Sequence, residues 1–93
     1  MSSKKEGTGK AQSNCYVING KDERLSIAVG KMFRQARKEQ GLTQQGVAEV
    51  SGVKRPNIAR LESGKHSPTV DMLNHIADSM GMDLEIHLLE RQS

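Results

Sequence analysis

Most side chains that could do chemistry in this sequence are cations, and they are unevenly distributed. Residues 24–65 contain nine lysines and arginines but only three glutamates. From His66 onward the balance reverses, with five acidic side chains and one cation, Arg91. A basic first part and an acidic last part of the sequence suit a chain that binds phosphates with one surface and faces protein or solvent with the other. The charge distribution alone is also consistent with a solvent-exposed helix surface on which the excess of cations is incidental.

No grouping of side chains in the sequence predicts a catalytic or metal centre. The three histidines, His66, His75 and His87, lack the spacing of metal ligands within one element, and His75 is expected to pair with Asp71 on a solvated helix face. The single cysteine, Cys15, provides neither an internal disulfide nor a CxxC zinc motif. Because the sequence also lacks a Ser/His/Asp, Cys/His or phosphate-loop pattern, we expect no enzymatic activity, no metal and no cofactor.

The length and composition predict one small domain. The chain has 93 residues, with one Phe, one Tyr and no Trp, so its core must be small and aliphatic. It lacks a run of about 18 apolar residues that could span a membrane, and its first residues lack the apolar segment of a secretory signal. We therefore expect a soluble, cytoplasmic protein with no membrane partner.

Apolar spacing and helix-end signals predict four short helices. A four-and-three spacing of apolar residues begins at Leu25, and Gly41 ends this first helix. Lys54 stands at the N-cap of the third helix, where Ser or Thr is usual, so its first N–H groups need another acceptor. The second helix is expected to start at Thr43 and to end at Ser51-Gly52. The third is expected to start at Arg55-Pro56 and to end at Ser63-Gly64, and the fourth to start at Thr69 and to end at Gly81.

The two ends of the chain differ from this helical block. Residues 1–20 are rich in small and polar residues without periodicity, which predicts a mostly disordered basic tail. Within it, Tyr16-Val17-Ile18 is either a strand fragment or a patch that docks on the core. Residues 83–90 alternate with the period of a half-buried β-strand, with Leu84, Ile86 and Leu88 on one face.

The second and third predicted helices are joined by the short turn Ser51-Gly52-Val53-Lys54, as in a helix-turn-helix. Residues 25–81 resemble the phage-repressor and Cro type of this motif, the XRE family. The resemblance is carried by GLTQQ at 41–45, VA at 47–48, GV at 52–53, Ile58, LESGK at 61–65, Pro68, Leu73, IA at 76–77 and Gly81.

This resemblance implies an all-α, lambda-repressor-like DNA-binding domain at residues 21–82, with four to five short helices and the C-terminal β-strand. It implies that the third helix lies in the major groove of double-stranded DNA. Positions that match base-reading residues of the family are Arg55, Pro56, Asn57 and Arg60. Positions expected to bind phosphate are Gln44, Thr43, Lys54 and Lys65. Arg37 and Glu62 match a structural salt bridge between the first and third helices.

The expected function is that of a sequence-specific transcriptional regulator, acting as a repressor in a bacterium or phage. Residues 83–90 are expected to pair with the same strand of a second chain, because a lone strand leaves unpaired backbone groups. The resulting homodimer would bind an inverted-repeat operator. Pairing with residues 16–18 of the same chain is the alternative arrangement. The alternative function is an antitoxin that binds a toxin protein and represses its own operon.

Overall fold

The computed structural model describes residues 15–21 and 24–91. This part of the chain contains four α-helices, as the apolar spacing predicts, and the all-α fold class is confirmed. The Thr43 and Thr69 hydroxyls cap their helices by accepting hydrogen bonds from the backbone N–H groups of Gly46 (2.9 Å) and Met72 (3.0 Å). The helices are α1 (Leu25–Glu39), α2 (Gln44–Ser51), α3 (Arg55–Ser63) and α4 (Val70–Ser79).

One apolar core holds the four helices together. α1 and α2 each pack against α3, and α4 packs against α2. Ile58 of α3 and Val47 of α2 are the most deeply buried large side chains, so the core is centred on the contact between these two helices. The other buried members of the core are Phe33, Ala36, Ala48, Leu61, Ile76, Ala77 and Met80.

The backbones of α1 and α3 approach each other closely at Gly30. A Cβ atom at this position would lie 2.5 Å from the carbonyl oxygen of Leu61 and 2.7 Å from that of Glu62, so only glycine fits. A second close approach occurs at Gly64, which adopts φ +72° and lies against Ile27. Main-chain atoms therefore set the distance between α1 and α3.

The C-terminal strand predicted for residues 83–90 is not supported. After α4 the chain continues to residue 91 without regular secondary structure. Leu84 packs against the core, whereas Ile86 and Leu88 are 66% and 98% exposed. The alternating pattern in the sequence indicates a strand, but a strand requires a partner, and a single copy of the described residues offers none.

Among residues 15–21, the side chain of Tyr16 contacts the core. Tyr16 packs against the partly buried edge of the core, and its hydroxyl donates a hydrogen bond to the Glu39 carboxylate at the end of α1. This bond, together with a second from Gln35, lowers the pKa of Glu39. Residues 16–18 form no strand. Residues 1–14 of the predicted tail lie outside the described residues.

Candidate nucleic-acid interface

The connection between α2 and α3 is a tight turn fixed by backbone geometry and by Ser51. Gly52 adopts the left-handed conformation (φ 77°) and its N–H donates to the Ala48 carbonyl at 2.9 Å, which closes α2. The Ser51 hydroxyl accepts a hydrogen bond from the N–H of Val53 at 3.1 Å. α3 therefore begins in a defined direction relative to α2.

α3 separates into a buried side and an exposed side. Ile58 and Leu61 face the core, at 1% and 3% exposure. All four residues predicted to read bases are exposed: Arg55, Pro56, Asn57 and Arg60. The structure therefore presents guanidinium and amide groups, which hydrogen-bond to base edges, on the solvent side of one helix.

The residues predicted to bind phosphate lie at helix starts and just beyond the end of α3. Thr43 is the N-cap of α2, and Lys54 is the N-cap of α3, where its side chain makes no capping hydrogen bond. Pro56 lies in the first turn of α3 and lacks an N–H. Lys65, after the end of α3, is exposed. Two helix N-termini with adjacent cations make a surface that favours anions.

A salt bridge joins α1 to α3 below this surface. The Arg37 Nε atom donates to Glu62 Oε2 at 2.6 Å, and Arg37 Nη2 donates to Glu62 Oε1 at 3.0 Å. Arg37 Nη1 also donates to the carbonyl of Leu42 at 2.8 Å, which fixes the loop before α2. The two side chains are 10% and 6% exposed, and the hydrogen bond to Glu62 raises the pKa of Arg37.

Gln44 connects this salt bridge to the exposed side of α3. Its Nε2 donates to Glu62 Oε1 at 3.1 Å, and its Oε1 accepts a hydrogen bond from Arg55 Nη1 at 3.4 Å. The half-buried Gln44 thus links the buried carboxylate to an exposed arginine. The predicted phosphate contact for Gln44 would use its second amide hydrogen.

His75 makes a contact that the sequence did not indicate. Its Nε2 lies 2.6 Å from the carbonyl oxygen of Ser51, at the end of α2. The expected pairing with Asp71 is wrong, because the imidazole points across to α2 rather than along α4. Among the described residues, no three His, Cys, Asp or Glu side chains group as a possible metal site.

Comparison with known proteins identifies the family. A family model described as helix-turn-helix matches residues 33–86, which is more than half of the chain. The chain belongs to the helix-turn-helix family. The resemblance of residues 25–81 to the XRE type is thereby confirmed, and DNA binding follows from the motif.

Two relatives of this helix-turn-helix protein are similar over most of their own length. One is an uncharacterized helix-turn-helix-type transcriptional regulator from Methanothermobacter thermautotrophicus, 42% identical over 52 residues, covering 56% of this chain and 75% of the relative. The other, also an uncharacterized regulator of this type, is from Sinorhizobium fredii. It is 39% identical over 54 residues, covering 58% of this chain and 70% of the relative. The helix-turn-helix protein is therefore a member of a family of transcriptional regulators.

A solved structure is similar to this helix-turn-helix protein in fold and sequence. It is a toxin–antitoxin module from Streptococcus pneumoniae, with a TM-score of 0.56 and 37% sequence identity. The similarity covers 70% of this chain and 72% of that chain.

Among the described residues, no helix is both long and apolar enough to cross a membrane.

Proposed function

We propose that this protein is a sequence-specific transcriptional repressor that binds an inverted-repeat operator as a dimer. The observation that carries the proposal is the exposed side of α3, where Arg55 is connected through Gln44 and Glu62 to the buried framework. The 3.4 Å contact with Gln44 favours orientations of Arg55 toward α2, and such a restriction reduces the side-chain entropy that the arginine loses when it binds a base.

Arg55 and Arg60 are assigned to base reading in this proposal. A guanidinium group donates two parallel hydrogen bonds to O6 and N7 of guanine, so each arginine can select one base. Asn57 has the donor and acceptor needed for adenine, and Pro56 offers an apolar contact. The recognition surface of α3 therefore consists of these four residues.

Phosphate contacts complete the proposed interface. The N-termini of α2 and α3 direct N–H groups outward, and an incoming phosphate would supply the acceptor that the Lys54 side chain does not provide at the start of α3. Thr43, Lys54 and the second amide hydrogen of Gln44 lie at these termini, and Lys65 lies just beyond the other end of α3. Such contacts fix the register of the protein on the duplex without reading sequence.

The dimer is proposed to form through residues 83–90. Ile86, Leu88 and Leu89 are 66%, 98% and 90% exposed, although the sequence pattern is that of a half-buried strand. Antiparallel pairing with a second copy would satisfy the backbone groups and place Leu84, Ile86 and Leu88 of both copies on one face, where they can pack against the helices, whereas Leu89 would lie on the opposite face. A two-fold axis would then place two α3 helices about one DNA turn, roughly 34 Å, apart.

Selection of bound sequences from random double-stranded DNA tests the function. We expect an inverted repeat to be enriched. Arg55→Ala and Arg60→Ala should each weaken binding to that sequence by about 1–3 kcal/mol and relax the preference at one base position. Arg91→Ala is the matched control, because it removes the same charge from the acidic end of the chain. Failure to enrich any sequence would refute sequence-specific binding.

The similarity to the Streptococcus pneumoniae module favours a second candidate function. In this alternative the protein is an antitoxin that binds a toxin and represses its own operon. The acidic side chains from Asp71 to Glu90 would complement a basic toxin. Co-expression with the product of the adjacent gene tests this idea: a toxin should arrest growth alone, and it should co-purify with this protein and lose its effect in its presence.

A further inference from the structure

We infer that His75 is a positioning residue for DNA recognition, which holds the turn between α2 and α3 through a hydrogen bond to the Ser51 carbonyl. The inference rests on the proposed function, since it concerns the orientation of the helix that reads DNA. His75 lies on α4, outside the helix-turn-helix, and has no direct role in the interface proposed above.

The chemistry of the contact defines its direction. A carbonyl oxygen only accepts hydrogen bonds, so Nε2 of His75 carries the hydrogen at the 2.6 Å contact. Ser51 is the last residue of α2, and the last carbonyls of a helix have no partner within it. His75 therefore satisfies a helix-end carbonyl that the helix itself leaves open.

Ser51 transmits this contact to the turn. It is 7% exposed, and its hydroxyl accepts the hydrogen bond from Val53 N–H while its carbonyl binds His75. Val53 packs against the core, and α3 begins only two residues later at Arg55. A displacement of the Ser51 carbonyl would move the residues that set the starting direction of α3.

The packing of the helices explains why α4 influences α3 through the end of α2. α4 packs against α2, whereas α3 is held by α1 and α2. The apolar residues Ile76 and Ala77 are buried and pack α4 against the core. Within the part of the chain that the structure describes, the hydrogen bond from His75 to the Ser51 carbonyl joins α4 to the end of α2 in a defined direction.

Three variants separate positioning from general stability. His75→Leu removes the donor and keeps a side chain of comparable bulk, and His75→Ala removes the donor together with most of the side chain. His75→Gln keeps an N–H donor, because the Gln amide nitrogen is the same number of bonds from Cβ as Nε2 of histidine. Asn74→Leu is the control, since Asn74 is an exposed neighbour on the same helix.

The first readout is the ratio of affinity for the selected operator to affinity for unrelated DNA, measured where circular dichroism shows every variant folded. Leaving the carbonyl unpaired should lower this ratio about tenfold in His75→Leu and His75→Ala. His75→Gln should restore it, and Asn74→Leu should leave it unchanged. Donor-free variants that retain the parent ratio would overturn the inference, whereas a parent with no operator preference would overturn the proposed function itself.

The second readout does not involve DNA. Amide hydrogen exchange in the free protein should accelerate at Gly52 and Val53 in His75→Leu, with no matching change in α1. His75→Gln should return these two amides to the parent rate. Equal acceleration throughout the protein would mean that His75 contributes only to global stability, and unchanged exchange at the turn would mean that the contact does not hold it.

Discussion

Glu62 binds Arg37 through both of its carboxylate oxygens, at 2.6 and 3.0 Å, and the pair is almost closed to solvent. The same carboxylate accepts a third hydrogen bond from Gln44. One glutamate on α3 therefore connects α1, the start of α2 and the exposed arginine at the start of α3.

Removing either partner of this salt bridge should destabilise the protein strongly. We expect Arg37→Ala or Glu62→Ala to cost about 3 kcal/mol in the free energy of unfolding, because each leaves a buried charge unpaired. Urea denaturation measures the loss. The double variant should cost less than the sum of the two single variants, and an additive result would show that the two charges are not coupled.

Gly30→Ala should destabilise the protein by about 3 kcal/mol, because the new methyl group overlaps the carbonyl oxygens of Leu61 and Glu62 and forces α1 away from α3. Thermal or urea unfolding measures the effect. Gly46→Ala is the comparison, since the atom nearest to its Cβ would be the Thr43 hydroxyl oxygen at 3.3 Å, a side-chain atom that needs to shift by only a few tenths of an ångström, and alanine is the better helix former. Equal losses for the two variants would contradict the close contact between α1 and α3.

The bond between Tyr16 and Glu39 should be sensitive to acid. The folded state lowers the pKa of Glu39, so its contribution to stability is present at neutral pH and is lost as the pH falls through the lowered pKa. Tyr16→Phe removes the larger cause and should raise the pKa of Glu39 toward its ordinary value. An NMR titration of the Glu39 carboxyl carbon measures this shift in pKa. As a control, Tyr16→Phe made together with Glu39→Gln should no longer alter how stability depends on acid.

Substitution of Ile86 by proline tests the proposed dimer. Proline cannot donate to a strand ladder, so Ile86→Pro should yield a monomer that retains its four helices and binds the operator far more weakly. Light scattering and circular dichroism report the two properties. Ile86→Val preserves the strand pattern and should remain dimeric. A parent protein that is monomeric at tens of micromolar would exclude residues 83–90 as the interface.

The helix ends were predictable because their signals are local. Thr43 and Thr69 cap the helices they precede, and Gly41 and Gly81 follow the helices they end, as the sequence indicated. Arg37 and Glu62 are 25 positions apart, so no local signal links them. Their salt bridge was implied only by the family resemblance.

Other features depend on tertiary packing, for which the local sequence carried either no signal or a misleading one. Gly30 resembles any tolerated helix glycine until α3 is placed against it. His75 has an acidic neighbour four residues earlier, and only the crossing of α4 over α2 directs it to Ser51 instead. The alternation at residues 83–90 predicts a strand, but residues 82–91 form no regular secondary structure, because a strand needs a partner strand and the described residues of one chain supply none.

The close approach at Gly30 has a consequence for how such a protein can diverge. Because main-chain atoms set the distance between α1 and α3, and Ile58 and Leu61 occupy the buried side, the exposed side chains of α3 contribute little to folding. Substitutions at Arg55, Asn57 or Arg60 can therefore accumulate in a duplicated gene at little thermodynamic cost. In the proposed interface, a few codon changes on α3 would then alter which bases are preferred, while the core and the contact between α1 and α3 stay unchanged.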